Sequence, residues 1–406
     1  MLMNRNSLQR IIFILCITIS SIFAQEDNSF IEYLIGQTNL DSLISYVRIL
    51  SGEDSVQLGD SKVLIRNRST SQGRLLAAEY IKQKLEGFNL DVEEQIYSSG
   101  KNVIATQTGI SYPDNNYIIC AHYDAITTYC ADDNASGVAA VLESARILSK
   151  YMLEYTLVFA LWDEEEPNPG LYGSGYYASQ AASSNMNIRG VLNLEMFGWD
   201  GNNDGVMDIH SSSVANSYAL ANLVYNTNLI FDLPLNPVIF HPGTGNSDHG
   251  SFWDEGFGAI CISQAYWAED FNPYYHSRRD RIDKFNLSFF HEMTKLAIAS
   301  ISTLAENLIA TVGNEIQYIP ITYSLDNYPN PFNNSTIIQY KIPKDEYIVL
   351  SIYNCLGEKV TELVNEYQRI GNYKVRFDAD NISSGVYILT ISTLTSMRSK
   401  KIILLK

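Results

Sequence analysis

"NYIICAHYDAITTYCADDNASGVAAVLESARILSK", residues 116–150, carries two kinds of patterning in one run. Tyr117 to Ala121 is nearly continuous in apolar residues, the mark of a strand buried on both faces, while Val138, Val141, Leu142, Ala145 and Leu148 recur at helical spacing. A buried strand that passes through a polar loop into an amphipathic helix is the unit from which α/β sheets are built. The flanking sequence repeats the scheme. "LLAAEYIKQKLEGF" (75–88) and "VAAVLESARILSKYM" (138–152) read as helices, and "TLVFALWDEEE" (156–166), "GVLNLEMFG" (190–198) and "GAICISQAY" (258–266) as buried strands. The expected fold is therefore α/β, a mostly parallel mixed sheet flanked by helices, with binding groups gathered beyond the carboxyl ends of its strands.

A chain of 406 residues suggests more than one domain. The style changes near residues 312–327, where helical patterning gives way to Pro and Asn turn residues. Beyond it, "TIIQYKI", "YIVLSIYN", "YKVRFDA", "GVYILTIST" and "RSKKIILLK" alternate with turn signals, which predicts a small all-β sandwich. At the other end Arg5 and Arg10 precede an apolar stretch from Ile11 to Phe23, shorter than the roughly 20 residues of a membrane span and followed by Ala24. The reading is a signal peptide at 1–24, a catalytic domain at 25–319 and a β-sandwich domain at 320–406, with no transmembrane span in the mature chain. The net charge of −17 excludes nucleic acid as a partner, since phosphate binding needs a basic footprint. The sandwich segment holds ten basic and eight acidic residues, so the acidity belongs to the catalytic domain. Cys120 and Cys130 are read either as a disulfide pair or as two buried thiols.

Each predicted strand ends in residues able to hold a metal. "IICAHYD" delivers His122 and Asp124, the loop after it supplies Asp132 and Asp133 ahead of the helix, and "TLVFALW" runs into Asp163, Glu164, Glu165 and Glu166. One aspartate suffices to cap a helix; two in a row leave one to explain. Glu195 interrupts an apolar strand, where an uncompensated carboxylate costs several kcal/mol, about the scale of a whole cavity mutation. His276 follows in "NPYYHSRRDRID". Two imidazoles and three carboxylates suit zinc, and a pair of zinc ions would need one bridging carboxylate and one further carboxylate left free as a base. Glu165 and Glu166 fit that division, one toward metal and one toward water.

At these residues the sequence resembles the M28 family of metallopeptidases, the di-zinc aminopeptidases of the bacterial leucyl aminopeptidase type. The resemblance covers about residues 30–312 through "AHYD", "ADDNASG", "DEEE" followed by "GLYGS", "NLEM", "SDHGSF" and "YYHSRRD". It implies that His122 and Glu195 bind one zinc, that Glu166 and His276 bind the other, and that Asp133 bridges them. Glu165 is then the general base, Asp124 orients His122, and Asp132 supports the loop. The implied reaction removes N-terminal residues from peptides through a water between the metals. The segment from about residue 323 onward, with "LDNYPNPFNNSTIIQYKIP", "VLSIYNCLGEKV" and "KKIILLK", resembles the sorting domain of type IX secretion, which implies export through the periplasm to the medium or the outer-membrane surface, with that secretion machinery as a partner.

Three departures from the family pattern stand out. "PNP" after "DEEE" leaves open a slip of the base and ligand to Glu164 and Glu165. Thr244 falls where some relatives have a tyrosine that stabilises the tetrahedral intermediate, and Arg278, Arg279 and Arg281 occupy a stretch expected to be small or acidic. Asp248 and His249 are read as supports of the site, and His210, His241 and His291 as structural. Alternative readings are a glutaminyl cyclase-like acyltransferase with one zinc, an inactive surface binding protein, and a carboxypeptidase that uses the arginines.

Overall fold

The strand that the patterning predicts runs from Tyr112 to His122, at the centre of the main sheet of a computed structural model that describes residues 29–167, 170–268, 270–305, 309–312, 315–319, 324–342, 346–368, 371–379, 382–393 and 397–406. The expected signal peptide lies outside the described residues. The chain divides into two compact units, one of Ile31–Tyr318 and one that contains Ile319–Lys406.

In the first unit, strands β1 (Asp91–Ile96), β2 (Lys101–Gln107), β3 (Tyr112–His122), β4 (Tyr155–Trp162), β5 (Asn187–Glu195), β6 (Val206–His210), β7 (Asn236–Phe240) and β8 (Ala259–Gln264) pair in the order β7-β6-β8-β5-β3-β4-β2-β1. The four inner strands β8, β5, β3 and β4 run parallel, as do β7 and β6. Strand β6 pairs antiparallel with β8, and β1 and β2 extend the other edge antiparallel. The sheet is thus mixed around a parallel centre, whose apolar runs need cover on both faces.

Helices α1 (Ser29–Ile35), α2 (Leu40–Leu50), α3 (Ser71–Gly87), α4 (Gly137–Leu148), α5 (Tyr172–Ser183), α6 (Ser217–Ile230), α7 (His249–Asp254) and α8 (Leu287–Leu304) provide that cover. On one face Tyr177, Ala178 and Phe252 from α5 and α7 cluster with Ile118, Cys120, Val158 and Trp162. Helices α4 and α8 pack against β3 and β5. Side chains accept backbone N–H groups at three helix starts: Asn39 for α2, Thr70 for α3 and Asn286 for α8. Helix α4 ends at Leu148, short of the expected Met152, because Tyr151 and Met152 leave it to pair with Ile309 and Ala310. Its start at Gly137 sits so close to β5 that a Cβ there would lie 2.5 Å from the Leu194 carbonyl. Leu34, Leu43, Val47 and Leu50 of α1 and α2 are fully buried, so this N-terminal segment belongs to the unit's core. All four described cysteines are free, which answers the question of Cys120 and Cys130 in favour of buried thiols.

The second unit has two antiparallel sheets. One joins β9 (Ser324–Tyr328), β10 (Ser335–Ile342) and β13 (Gly371–Asp378); the other joins β11 (Glu346–Asn354), β12 (Lys359–Gln368), β14 (Gly385–Ser392) and β15 (Met397–Leu404) in the order β12-β11-β14-β15. Ile338, Tyr340 and Phe377 of the first share one apolar cluster with Leu350, Leu389 and Ile402 of the second, the packing of a sandwich. Among the described residues no helix is long and apolar enough to cross a membrane.

Candidate metal centre

Strand β3 ends at His122, and its neighbours β4 and β5 end beside it, so three sequence-distant loops open onto one cavity of about 170 Å³. His122, Asp133, Glu165, Glu166 and Glu195 line it, with Tyr275 at its rim. Two sets of possible ligand atoms, one from His122, Asp133 and Glu195 and one from Asp133, Glu166 and His276, each lie within 4.8 Å of one another. Asp133 is common to both. Its Oδ1 stands 3.4 Å from His122 Nε2 and its Oδ2 stands 3.3 Å from His276 Nε2. Glu195 Oε1 is 3.3 Å from His122 Nε2, and Glu166 Oε2 is 3.2 Å from His276 Nε2.

The surrounding hydrogen bonds aim these atoms. Asp124 holds His122 Nδ1 at 3.2 Å and accepts the backbone N–H groups of both Glu165 and Glu166, at 3.1 and 3.2 Å. Ser247 donates to Glu195 Oε2 at 2.6 Å and is itself held by Asn193, which leaves Oε1 turned toward His122. Asn134, and neither aspartate, serves the start of α4: its Oδ1 accepts from Gly137 and Met196 while its Nδ2 donates to Leu194 O. Asp132 turns away from the cavity and accepts from Gly198, Ser136 and Asn272.

The acidic run 163–166 splits in two. Asp163 and Glu164 pair with Arg74 at 2.9 and 3.0 Å, and Ser99 donates to Glu164 as well. Glu165 and Glu166 face the cavity. The backbone turns through the left-handed region at Glu164, Met196, Cys130 and His276, each in or beside a segment that delivers a site residue.

Several residues of this shell gave no signal in the sequence reading. Arg68 is fully buried, and its guanidinium donates to the carbonyls of Leu50, Tyr123, Tyr129 and Cys130, which ties the end of α2 to the loop that runs from β3 to Asp132 and Asp133. Burial lowers its pKa. Nothing in the isolated sequence around "RNRSTS" distinguishes this arginine from a solvated one. Replacing it, Arg68→Met, strands four buried carbonyls and is expected to cost about 3 kcal/mol or more, read as a fall in the urea midpoint at unchanged m. His210, read as structural, lines the cavity as well. Arg278, Arg279 and Arg281 do not line it; Arg281 pairs with Glu53 at 3.3 Å and stacks over Tyr129.

The electrostatics show how the cluster behaves without an ion. Burial raises the Glu165 carboxyl well above its ordinary range, reinforced by Glu195, Asp248 and Glu166 and opposed by His122. Burial and Asp133 lift Glu166 to about 7. The nearby carboxylates of Asp133 and Glu166 lift His276 to about 10. Burial alone would lower His122, yet Glu195, Glu165, Asp124 and Asp133 raise it well above its ordinary value. The acids thus favour positive charge at both imidazoles, where the two ligand sets meet. Asp133 Oδ2 and Glu166 Oε1 are buried without a hydrogen-bond donor, and the nitrogen and oxygen donor set is that of zinc. The residues present fit such an ion.

Two segments of the chain match known families. The family model for Peptidase family M28 matches residues 102–301, and that for the secretion system C-terminal sorting domain matches residues 326–405. A "Probable zinc metalloprotease" of Leptosphaeria maculans is 39% identical over 106 residues, 24% of this chain and 24% of that protein, so the chain spans about a quarter of that relative's length. Among solved structures, the LapA aminopeptidase of Legionella pneumophila superposes with a TM-score of 0.58 at 20% identity, covering 70% of this chain and 76% of that one. A glutaminyl cyclase of Bacteroides thetaiotaomicron does so with 0.54 at 18%, covering 65% and 98%. These two likenesses concern the fold alone. The match to peptidase family M28 thus spans residues 102–301, just under half of the chain, and that to the secretion system C-terminal sorting domain spans residues 326–405.

Proposed function

We propose that the protein is an exported aminopeptidase that uses two zinc ions and Glu165 to hydrolyse the first peptide bond of its substrates. The observation that carries this reading is Asp133, which offers one carboxylate oxygen to each of two imidazoles from different loops. His122 and Glu195 would hold one ion, His276 and Glu166 the other, and Asp133 both. Zinc bound there supplies Lewis acidity toward the scissile carbonyl and lowers the pKa of water. Glu165, whose raised affinity for protons comes from burial, takes the proton of the attacking water and passes it to the leaving amine.

The Tyr275 hydroxyl lies within the electrostatic reach of Asp133, Glu166, Glu195 and Glu165, and its ring stacks on His276 at 3.7 Å. It supplies the phenolic donor that Thr244 cannot, against the oxygen of the tetrahedral intermediate. The amino end of the substrate is favoured over the carboxyl end because four carboxylates and no Lys or Arg line the cavity among the described residues. Residues 1–24 would direct export and residues 320–406 sorting through the type IX machinery, to the medium or the outer-membrane surface.

Purified protein is expected to contain two zinc ions per chain by mass spectrometry and to release N-terminal residues from aminoacyl-anilides until a chelator is added. One zinc with cyclisation of N-terminal glutamine would replace this reading by the acyltransferase. Neither metal nor turnover would replace it by a binding protein.

A further inference from the structure

Four residues beyond His276, Asp280 is fully buried and meets three consecutive amides of the loop that carries Asp133. Its carboxylate accepts the N–H of Asp132 at 3.0 and 3.1 Å and the N–H of Asp133 at 3.1 Å, and its own carbonyl accepts the N–H of Ala131 at 3.2 Å. The segment between is a tight turn, with Asp280 N–H on the Ser277 carbonyl and Ser277 N–H on that of Tyr274. His276 and the peptide of Asp133 are therefore held through one short, rigid piece of chain.

A carboxylate buried close to Asp132 and Asp133 is an expensive choice for a structural clasp, because like charges in a dry site repel. Two features offset it: the N–H groups of Asp132 and Asp133 both donate to the carboxylate, and the buried Arg68 guanidinium lies within its field. Asparagine cannot do the same. It has one accepting oxygen, and its NH2 would set a donor against the N–H of Asp132 or Asp133. Asp132 shows the contrast in the same loop, since its carboxylate serves Gly198 and Asn272 and leaves the bridging position alone.

We propose that Asp280 is a positioning residue that sets both metal positions at once, by locking the backbone of Asp133 in register with His276. Asp133 is common to the two ligand sets and His276 belongs to one, so a loosened Asp280 contact moves a ligand of each ion. The inference rests on the two-zinc reading above.

The test is zinc affinity of the full chain by competition with a chromophoric chelator, for wild type, Asp280→Asn and Asp280→Ala, beside thermal melting of the metal-free proteins. Asp280→Asn is expected to weaken zinc binding at both positions by roughly ten- to a hundredfold, with turnover restored by excess zinc at an unchanged KM. Wild-type affinity in Asp280→Asn overturns the proposal, as does weakening at one position only or a loss of turnover that zinc does not restore. If Asp280→Ala does not fold, the asparagine variant alone decides. Wild type that binds no zinc overturns the two-zinc reading and this inference with it, whereas tight wild-type binding equalled by the variant overturns this inference alone.

Discussion

Glu165→Gln is expected to keep the zinc content of the wild type while kcat falls by about a thousandfold or more, the upper part of the range for loss of a positioned general base. The expectation comes from the division of labour within 163–166. Asp163 and Glu164 are taken by Arg74, and Glu166 Oε2 stands 3.2 Å from His276, so its loss would empty a metal position. Glu165 lines the cavity and its carboxylate takes no hydrogen bond from the described residues. Only its backbone is held, by Asp124, which already orients His122. Glutamine therefore preserves shape and removes proton transfer. Chromophoric anilide turnover beside metal analysis reads both quantities, and near-normal turnover in Glu165→Gln would move the base elsewhere. Glu164→Gln is the matched control. It breaks a contact with Arg74 outside the cavity, so it should lower stability and leave the pH profile of kcat in place.

How much of this was legible in the sequence follows from how each element is stabilised. The buried strands β3, β4, β5 and β8 announce themselves because each must be apolar on both faces, and the helix after 137 because its apolar residues recur on one side. Two edge strands, β1 and β12, were missed. Strand β1 alternates exposed and half-buried residues and holds three acidic side chains, and β12 is exposed or half-buried along its whole length, so neither carries a hydrophobic signature; pairing with a neighbour makes them strands. At the site, residues that close a strand showed as polar interruptions of apolar runs, and Glu195 was the clearest. Arg68 and Asp280 showed nothing, since what they do is bond to backbone groups, and backbone groups leave no trace in residue identity. The slip left open between Glu164 and Glu165 likewise has a backbone cause. Glu164 adopts φ 60°, which swings its side chain out to Arg74 and Ser99 and leaves the next two residues facing inward.

The neighbouring aspartates of "ADDNASG" offer the other large effect, because the same substitution at adjacent positions should separate stability from metal binding. Wild-type protein is expected to gain about 4 kcal/mol of stability when free zinc exceeds the dissociation constant a thousandfold, since zinc binds only the folded cluster. Asp133→Asn should abolish most of that gain together with turnover. Asparagine has one carbonyl oxygen, which cannot serve His122 and His276 at once, and its loss of charge removes a negative group that both ligand sets share. Asp132→Asn should do the reverse. Asp132 sits behind the loop, where its two oxygens accept from Gly198 and Asn272, and an NH2 group facing either donor leaves a buried clash that costs about 2 kcal/mol with or without zinc. Its zinc-induced rise in melting temperature should match that of the wild type. Melting curves of the three proteins with and without zinc therefore distinguish a ligand from a loop support by the size of the zinc-dependent shift, whatever each variant does to the baseline. A normal zinc shift in Asp133→Asn would remove the bridge, and with it the observation on which the two-zinc reading rests.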